Sequence, residues 1–237
     1  MMFLLVWLQR WLHRELQAIF LLITHDAGIS IIIFSILFLP GVMIHELSHF
    51  LSARLLRVKT GKFSIIPKVL PNGKVQLGYV EVATSDIFRD SLIGAAPLIA
   101  GLAAVLLIAL FIFDLPVLGI GNLAPSGLLP MVHAVLLAQD AWLWIYLLFT
   151  ISTTMMPSES DRHAWAPLLL VFAGILGLAF LVDGGSWLQN NLGRPALVVS
   201  NIGIFLFGLC NFLHILLSIP LFLVRIGISK LTGYQVR

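Results

Sequence analysis

The stretch with the most suggestive chemistry is the pentad His45-Glu46-Leu47-Ser48-His49. On a helix, His45 and His49 are one turn apart and project from the same face, so their imidazole nitrogens can occupy two corners of a zinc tetrahedron. Glu46 lies about 100° further round the helix, beside the metal rather than on it. From there it can take a proton from the attacking water and pass it on, which is the role of this Glu in zinc hydrolases. The spacing therefore predicts a Zn²⁺ site with Glu46 as the catalytic base.

The apolar surroundings of the pentad strengthen this interpretation. Residues 34–51 form an apolar run long enough to cross a bilayer. An ionised residue at the centre of a membrane helix costs about 2.5–3.5 kcal/mol, and polar residues are rarely kept there without a partner. A bound metal ion would be such a partner. A hydrogen-bonded structural network of the same side chains is the alternative.

The composition is that of a polytopic membrane protein. Apolar residues make up 59% of the chain and charged residues 11%, and the mean hydropathy is +1.03, values that a water-soluble domain does not reach. The single cysteine, Cys210, excludes an internal disulfide and a cysteine-based zinc site. The net charge of +3 is small, so we attribute it to basic loops and predict no nucleic-acid partner.

Hydropathy predicts an all-α polytopic membrane protein, with residues 1–237 as a single integral-membrane domain. About five transmembrane helices are expected, at residues 29–56, 91–113, 141–156, 165–182 and 197–223. Residues 1–24 have an apolar and a polar face, which predicts an amphipathic helix in the interface, with an additional transmembrane helix as the alternative. Arg10, Arg14 and Glu15 interrupt this segment, so no cleavable signal is expected. Basic residues after the first and last spans place these ends in the cytoplasm.

Residues 62–83 differ from the apolar spans around them. Apolar and polar residues alternate there on both sides of Pro71-Asn72-Gly73. An Asn-Gly turn between alternating segments predicts a small β-hairpin, here on the cytoplasmic side and close to the pentad, with a simple loop as the alternative. The next span opens with the small residues of segment 94–101, which predict close contact between helices.

A zinc site needs a third ligand on the same side of the membrane as the two histidines. Asp161, between the third and fourth predicted spans, meets this condition. Pro157 breaks the third helix just before it, as happens where backbone lines a polar cavity. Ser158 and Asp161 also fit a capping box that starts the next helix, and a carboxylate held by a cap can still offer an oxygen to a metal. Two alternatives stay open: His214, at a suitable depth, and Asp183, predicted to lie at the opposite face.

Several segments resemble the site-2 protease family of intramembrane zinc metalloproteases. The pentad at residues 45–49 resembles the zinc motif of that family. Residues 154–161, Thr-Met-Met-Pro-Ser-Glu-Ser-Asp, resemble its second motif, Asn-x-x-Pro followed by a zinc-binding Asp. The hairpin and Gly94-Ala95-Ala96-Pro97 are similar to its usual layout, so the likeness covers roughly residues 30–180. It implies that His45, His49 and Asp161 bind Zn²⁺ and that Glu46 activates the water.

The second motif departs from the family pattern at four points, one of which is that its second Pro is missing. Thr154 stands where the family usually has Asn, and the interval from Pro157 to Asp161 is one residue shorter. Arg162 replaces the Gly-Gly that commonly follows the Asp. Asp183 is followed by Gly-Gly, but its predicted outer position argues against it as the ligand.

These observations predict a zinc endopeptidase that hydrolyses peptide bonds of membrane-spanning substrate helices near the cytoplasmic face. The expected partners are a transmembrane protein substrate and the lipid bilayer, and the expected location is the cell (inner) membrane with the active site towards the cytoplasm. A divalent-metal transporter is one alternative, although it would need ligands across the whole bilayer. An inactive protease relative that binds membrane proteins is another, against which the intact Glu46 argues. The sequence leaves the oligomeric state open.

Overall fold

The computed structural model describes residues 1–69, 75–115, 128–181 and 185–234, and within these ranges the chain is mostly helical. The helices are α1 (Met2–Thr24), α2 (Ala27–Leu55), α3 (Ile87–Leu107), α4 (Leu128–Leu137), α5 (Ala141–Thr154), α6 (Trp165–Leu181) and α7 (Gly185–Thr232). The strands are β1 (Thr60–Ser64), β2 (Lys68–Val69), β3 (Val75–Gln76) and β4 (Tyr79–Val82). A π-helical turn, Ile108–Ile112, continues α3.

Three of the described helices are long and apolar enough to cross a membrane. These are α2, α3 with its π-helical continuation, and α7. Helices α5 and α6 are apolar but shorter. Each of the five predicted spans therefore coincides with an apolar helix, and three of these helices have the length and composition of a membrane crossing.

Two helices differ from the sequence-based prediction. Helix α7 begins at Gly185, well before the predicted span of residues 197–223, because it continues through Pro195 and Pro220. Proline inside an apolar helix is tolerated where the freed backbone groups find other partners. Helix α4 was not predicted, since its ten residues are too few for a span and carry a proline in the first turn.

Helix α1 packs lengthwise along α2 and α7. The face that it buries carries Leu5, Leu8, Gln9, Leu12, Glu15, Leu16, Ile19 and Leu22. Arg225 of α7 donates from its Nε to Glu15 Oε2 at 2.5 Å, so a charged pair joins the two helices at their buried face. This packing makes α1 a member of the helix bundle, and α1 is not among the described helices that are long and apolar enough to cross a membrane.

The predicted antiparallel pairing between the first two apolar spans is present. Strand β1 pairs with β4, with Ser64 opposite Tyr79, and β2 pairs with β3, with Lys68 opposite Gln76. The predicted turn, Pro71-Asn72-Gly73, lies outside the described residues.

Helices on both sides of the hairpin start from aspartate caps: Asp26 accepts from the Ile29 N–H at the start of α2, and Asp86 begins α3 in the same way.

Glycines allow α2 and α3 to approach α5 closely. A Cβ atom at Gly41 of α2 would overlap the Thr150 carbonyl of α5, and one at Gly101 of α3 would overlap the Met155 side chain just after α5. The predicted close contact of the small residues 94–101 is thus confirmed at Gly101. Because Gly41 lies one turn before His45, this contact brings the start of the pentad against the end of α5.

Candidate metal centre

His45, His49 and Asp161 converge on one point between α2 and the segment that links α5 to α6. One ligand atom from each residue lies within 4.8 Å of the other two, and these residues could hold a metal ion. His49 Nε2 is 3.4 Å from Asp161 Oδ1, and His45 Nε2 is 3.9 Å from Asp161 Oδ2. In a tetrahedral site with bonds of about 2.0–2.1 Å, ligand atoms lie about 3.3 Å apart. The two separations from Asp161 are therefore near this value, with a different carboxylate oxygen facing each histidine.

Backbone carbonyls fix the orientation of both imidazoles. His45 Nδ1 lies 2.6 Å from the Thr154 carbonyl oxygen at the end of α5, and His49 Nδ1 lies 2.9 Å from the Ile93 carbonyl oxygen in α3. A carbonyl oxygen only accepts, so in each ring Nδ1 carries the proton and donates it. The Nε2 lone pairs are then free to coordinate a metal, which is the usual arrangement for metal-binding histidines.

The donor set fits a cation. Two Nε2 lone pairs and a carboxylate repel one another at this separation unless a proton or a cation lies between them. Two histidines and one carboxylate, with a fourth position left for water or substrate, are also a ligand set found in catalytic zinc sites. The residues present at this point therefore match the metal that the sequence predicted.

Asp161 is held by the two hydrogen bonds of the predicted capping box, although these close a turn and the next helix begins only at Trp165. The Ser158 N–H donates to Asp161 Oδ2 at 2.7 Å, and the Asp161 N–H donates to Ser158 Oγ at 3.3 Å. Burial of the Asp161 carboxyl raises its pKa. When His49 carries a second proton on Nε2 in place of a metal, however, its hydrogen bond and charge, with hydrogen bonds from Ser158, outweigh burial and lower the pKa of Asp161 to about 2. The cap thus leaves an ionised carboxylate facing both histidines.

Helix α3 packs against the segment that carries Asp161. A Cβ atom at Gly94 would overlap the Asp161 carbonyl, so only a glycine allows this approach. Three residues earlier, Ser91 donates from its hydroxyl to the Ala164 carbonyl at 3.1 Å. The first turns of α3 therefore contact both the loop that carries Asp161 and, through Ile93, the ring of His49.

Glu46 borders a cleft of about 530 Å³ between the centre and α1. We call it the α1 cleft; its lining includes Val6, Gln9, Val42, His45, Glu46 and Thr153. Glu46 itself is 8% exposed, and the turn before β4 packs on it, since a Cβ at Gly78 would lie 2.9 Å from Glu46 Cγ. Glu46, the predicted base on α2, therefore packs against the hairpin and also lines the α1 cleft.

A second cleft, of about 450 Å³, also borders the metal ligands. We call it the β4 cleft; its lining includes His49, Val80, Val82, Asp90, Asp161 and His163. His163, which was not singled out from the sequence, lies with Nε2 3.6 Å from Asp90 Oδ2. The three ligands therefore line two clefts, His45 one of them and His49 and Asp161 the other.

The remaining residues considered from the sequence take other places. His214 is fully buried, with Nε2 3.1 Å from Thr153 Oγ1, and it is not a member of the metal-ligand group. Asp183 lies outside the described residues. Thr154 uses its hydroxyl to donate to the Thr150 carbonyl at 2.9 Å, while its own carbonyl serves His45. The two backbone acceptors, Thr154 and Ile93, were missed because a side-chain motif does not show them.

Comparisons with protein-family models, with curated proteins and with solved structures find no match to this chain.

Proposed function

We propose that this protein is an intramembrane zinc endopeptidase, the activity that its resemblance to the site-2 protease family implies. The observation that carries the proposal is the convergence of His45 Nε2, His49 Nε2 and the Asp161 carboxylate beside Glu46, in the linings of two clefts. Its location on α2, a helix apolar and long enough to cross a membrane, supports a substrate that lies in the membrane.

The reaction is the hydrolysis of a peptide bond. A zinc ion held by His45, His49 and Asp161 would polarise the substrate carbonyl and make water more acidic. Glu46 takes one proton from the attacking water, whose oxygen bonds to the carbonyl carbon. As the C–N bond breaks, Glu46 gives that proton to the departing amine, so it leaves the cycle unchanged. Thr154 and Ile93 hold the two imidazoles in their metal-binding tautomer throughout.

The two clefts support an extended substrate. A peptide that passes the ligands would place residues on one side of the cleaved bond in the α1 cleft and residues on the other side in the β4 cleft. A helical peptide has its carbonyls engaged in hydrogen bonds, so a membrane-spanning substrate must unwind locally before it is cleaved. The basic residues that follow α2 support an active site on the cytoplasmic side of the cell membrane.

A metal transporter is the alternative from another class. Transport would need successive ligand groups along the depth of the membrane, and the one such group among the described residues is His45, His49 and Asp161. The inactive-relative alternative is disfavoured by Glu46, which lies in the lining of a cleft as a base must. Hydrolysis therefore remains the function that the arrangement supports best.

The test uses the full chain purified in detergent and reconstituted in liposomes. The probes are single-span model proteins, tagged at both ends, with helix-destabilising residues in one half of the span. We expect the wild type to cleave at least one of them, and Glu46→Gln to retain zinc but cleave at least about 100-fold more slowly. Equal cleavage by Glu46→Gln would overturn the mechanism. Uptake of Zn²⁺ into wild-type liposomes without cleavage would favour the transporter.

A further inference from the structure

The hydrogen bond that orients His49 depends on an unusual feature of α3. In an α-helix each carbonyl accepts from the N–H four residues later. Ile93 is four residues before Pro97, and both lie inside α3. Proline has no N–H, so the Ile93 carbonyl lacks the helical partner that position 97 would otherwise supply. A buried carbonyl without a partner is costly, and one that lacks its helical partner is available to a donor from a neighbouring helix.

His49 of α2 provides that donor. Its Nδ1 lies 2.9 Å from the Ile93 carbonyl oxygen. His49 is 7% exposed, Ile93 is 5% exposed and the Pro97 ring is among the fully buried side chains, so water has little access to compete for this bond. The pair therefore satisfies two buried polar groups at once: the carbonyl that the proline frees and the ring N–H of the histidine.

His45 also donates to a backbone carbonyl that lacks a helical partner, but for a different reason. His45 Nδ1 contacts the Thr154 carbonyl, which is free because α5 ends at Thr154. Both ligand histidines thus donate to carbonyls that helical hydrogen bonding leaves unused. One carbonyl is free at a helix end, and the other lies in the middle of a helix and is made available by a proline.

We propose that Pro97 is a positioning residue of the metal centre, which frees the Ile93 carbonyl so that His49 is held in its metal-binding tautomer. The inference rests on the metal centre of the proposed function. Pro97 would act on His49 indirectly, through the Ile93 carbonyl. Any residue with an N–H at position 97 would compete with His49 for the same carbonyl, and the imidazole would lose its fixed orientation.

The test compares two replacements at position 97 in the full chain. Pro97→Ala removes the ring and introduces an N–H. A second variant carries L-lactic acid at position 97, which has the alanine side chain but an ester oxygen in place of the N–H. The two variants lose the same packing, and they differ in whether position 97 can donate to Ile93. Thermal unfolding of each purified variant checks that both are folded.

Zinc affinity, measured by competition with a chromogenic chelator, is the first readout. Partners of this kind contribute about 10–100-fold to metal affinity, so we expect Pro97→Ala to bind Zn²⁺ at least about tenfold more weakly than the lactic acid variant. The visible absorption of bound Co²⁺, which reports the geometry of the ligands, is the second. It should change in Pro97→Ala and match the wild type in the lactic acid variant.

Each other outcome has a definite meaning. Equal zinc affinity and equal Co²⁺ spectra in the two variants would overturn the role of Pro97, because packing alone would then explain any loss. If the wild type binds metal and cleaves peptides while Pro97→Ala does the same with unchanged affinity, the positioning role fails and the proposed function stands. A wild-type chain that binds neither ion would overturn both.

Discussion

Among the described residues, the histidines of two buried clusters differ in what faces the Nε2 atom. At the candidate metal centre, His45 Nε2 and His49 Nε2 face the Asp161 carboxylate at 3.9 and 3.4 Å. In the second cluster, His214 of α7 has Nε2 3.1 Å from the Thr153 hydroxyl and Nδ1 2.7 Å from the Cys210 carbonyl. Both rings of the first cluster and the single ring of the second donate to backbone, so the Nδ1 side does not distinguish them.

The group that faces Nε2, a hydroxyl or a carboxylate, explains why burial and depth alone do not identify a histidine as a metal ligand. A hydroxyl both donates and accepts, so Thr153 can meet His214 Nε2 as either partner, and its oxygen also lies 2.5 Å from the Phe149 carbonyl oxygen. A carboxylate only accepts, and two imidazole lone pairs that face it require a cation or a proton. A histidine at a suitable depth is therefore structural when a hydroxyl meets it, and a candidate ligand when acceptors converge on it.

The largest effect is expected when the acceptor of the metal cluster is removed. Asp161→Ala should reduce the zinc content of the purified protein from about one ion per chain towards zero, since two neutral imidazoles alone hold the ion poorly. His214→Ala should keep the full zinc content and lower only the free energy of unfolding, by about 1–3 kcal/mol, because removal of the fully buried imidazole leaves a cavity. Metal analysis of both variants checks the comparison. Loss of zinc in His214→Ala with full zinc in Asp161→Ala would reverse the two assignments.

A smaller effect is expected when the support of Asp161 is disturbed. Gly94→Val places a side chain where the Asp161 carbonyl lies, so the capped segment must move away from His49 and zinc affinity should fall about tenfold or more. Gly174→Val in α6 is the matched control, since no atom lies within 4 Å of a Cβ at that position. Zinc titrations with a competing chelator measure both. Equal affinities in the two variants would show that the approach at Gly94 is not needed.

The smallest effect is expected at Thr154, which stands in place of the Asn of the family motif. Its hydroxyl donates to the Thr150 carbonyl of its own helix, and His45 uses its backbone carbonyl instead. Thr154→Val keeps the shape and the backbone, so zinc affinity should be unchanged and the free energy of unfolding should fall by less than about 1.5 kcal/mol. A tenfold loss of zinc affinity, measured in the same titration, would instead give the hydroxyl a part in the metal centre.

The sequence predicts the side chains of the centre well and its backbone poorly. The one-turn spacing of His45 and His49 and the capping spacing of Ser158 and Asp161 are local patterns, and local hydrogen bonding reproduces both. The Thr154 and Ile93 acceptors depend on how α5 and α3 cross α2, which no local pattern encodes. The sequence does indicate one of these acceptors. Pro97 shows that the Ile93 carbonyl lacks its helical donor, but it does not show that His49 donates to it.

The helices show the same division between local and long-range information. Apolar runs predict α2, α3, α5 and α6 closely, because each run ends at polar or helix-breaking residues. The full extent of α7 was missed since proline is read as a boundary, whereas an apolar helix can continue through Pro195 and Pro220. The position of α1 along α2 and α7 depends on buried pairs such as Glu15 and Arg225, which are 210 residues apart in the chain.

Zinc K-edge X-ray absorption on the purified, full-length wild type tests the central claim most directly. The account predicts a stoichiometric zinc ion with two imidazole nitrogens and oxygen ligands at about 2.0–2.2 Å, and the loss of the imidazole signal in the double variant of His45 and His49 to alanine. A chain that holds no zinc after metal-replete purification would contradict it. So would a spectrum that requires a sulfur ligand at about 2.3 Å, since that would place the ion at Cys210 instead.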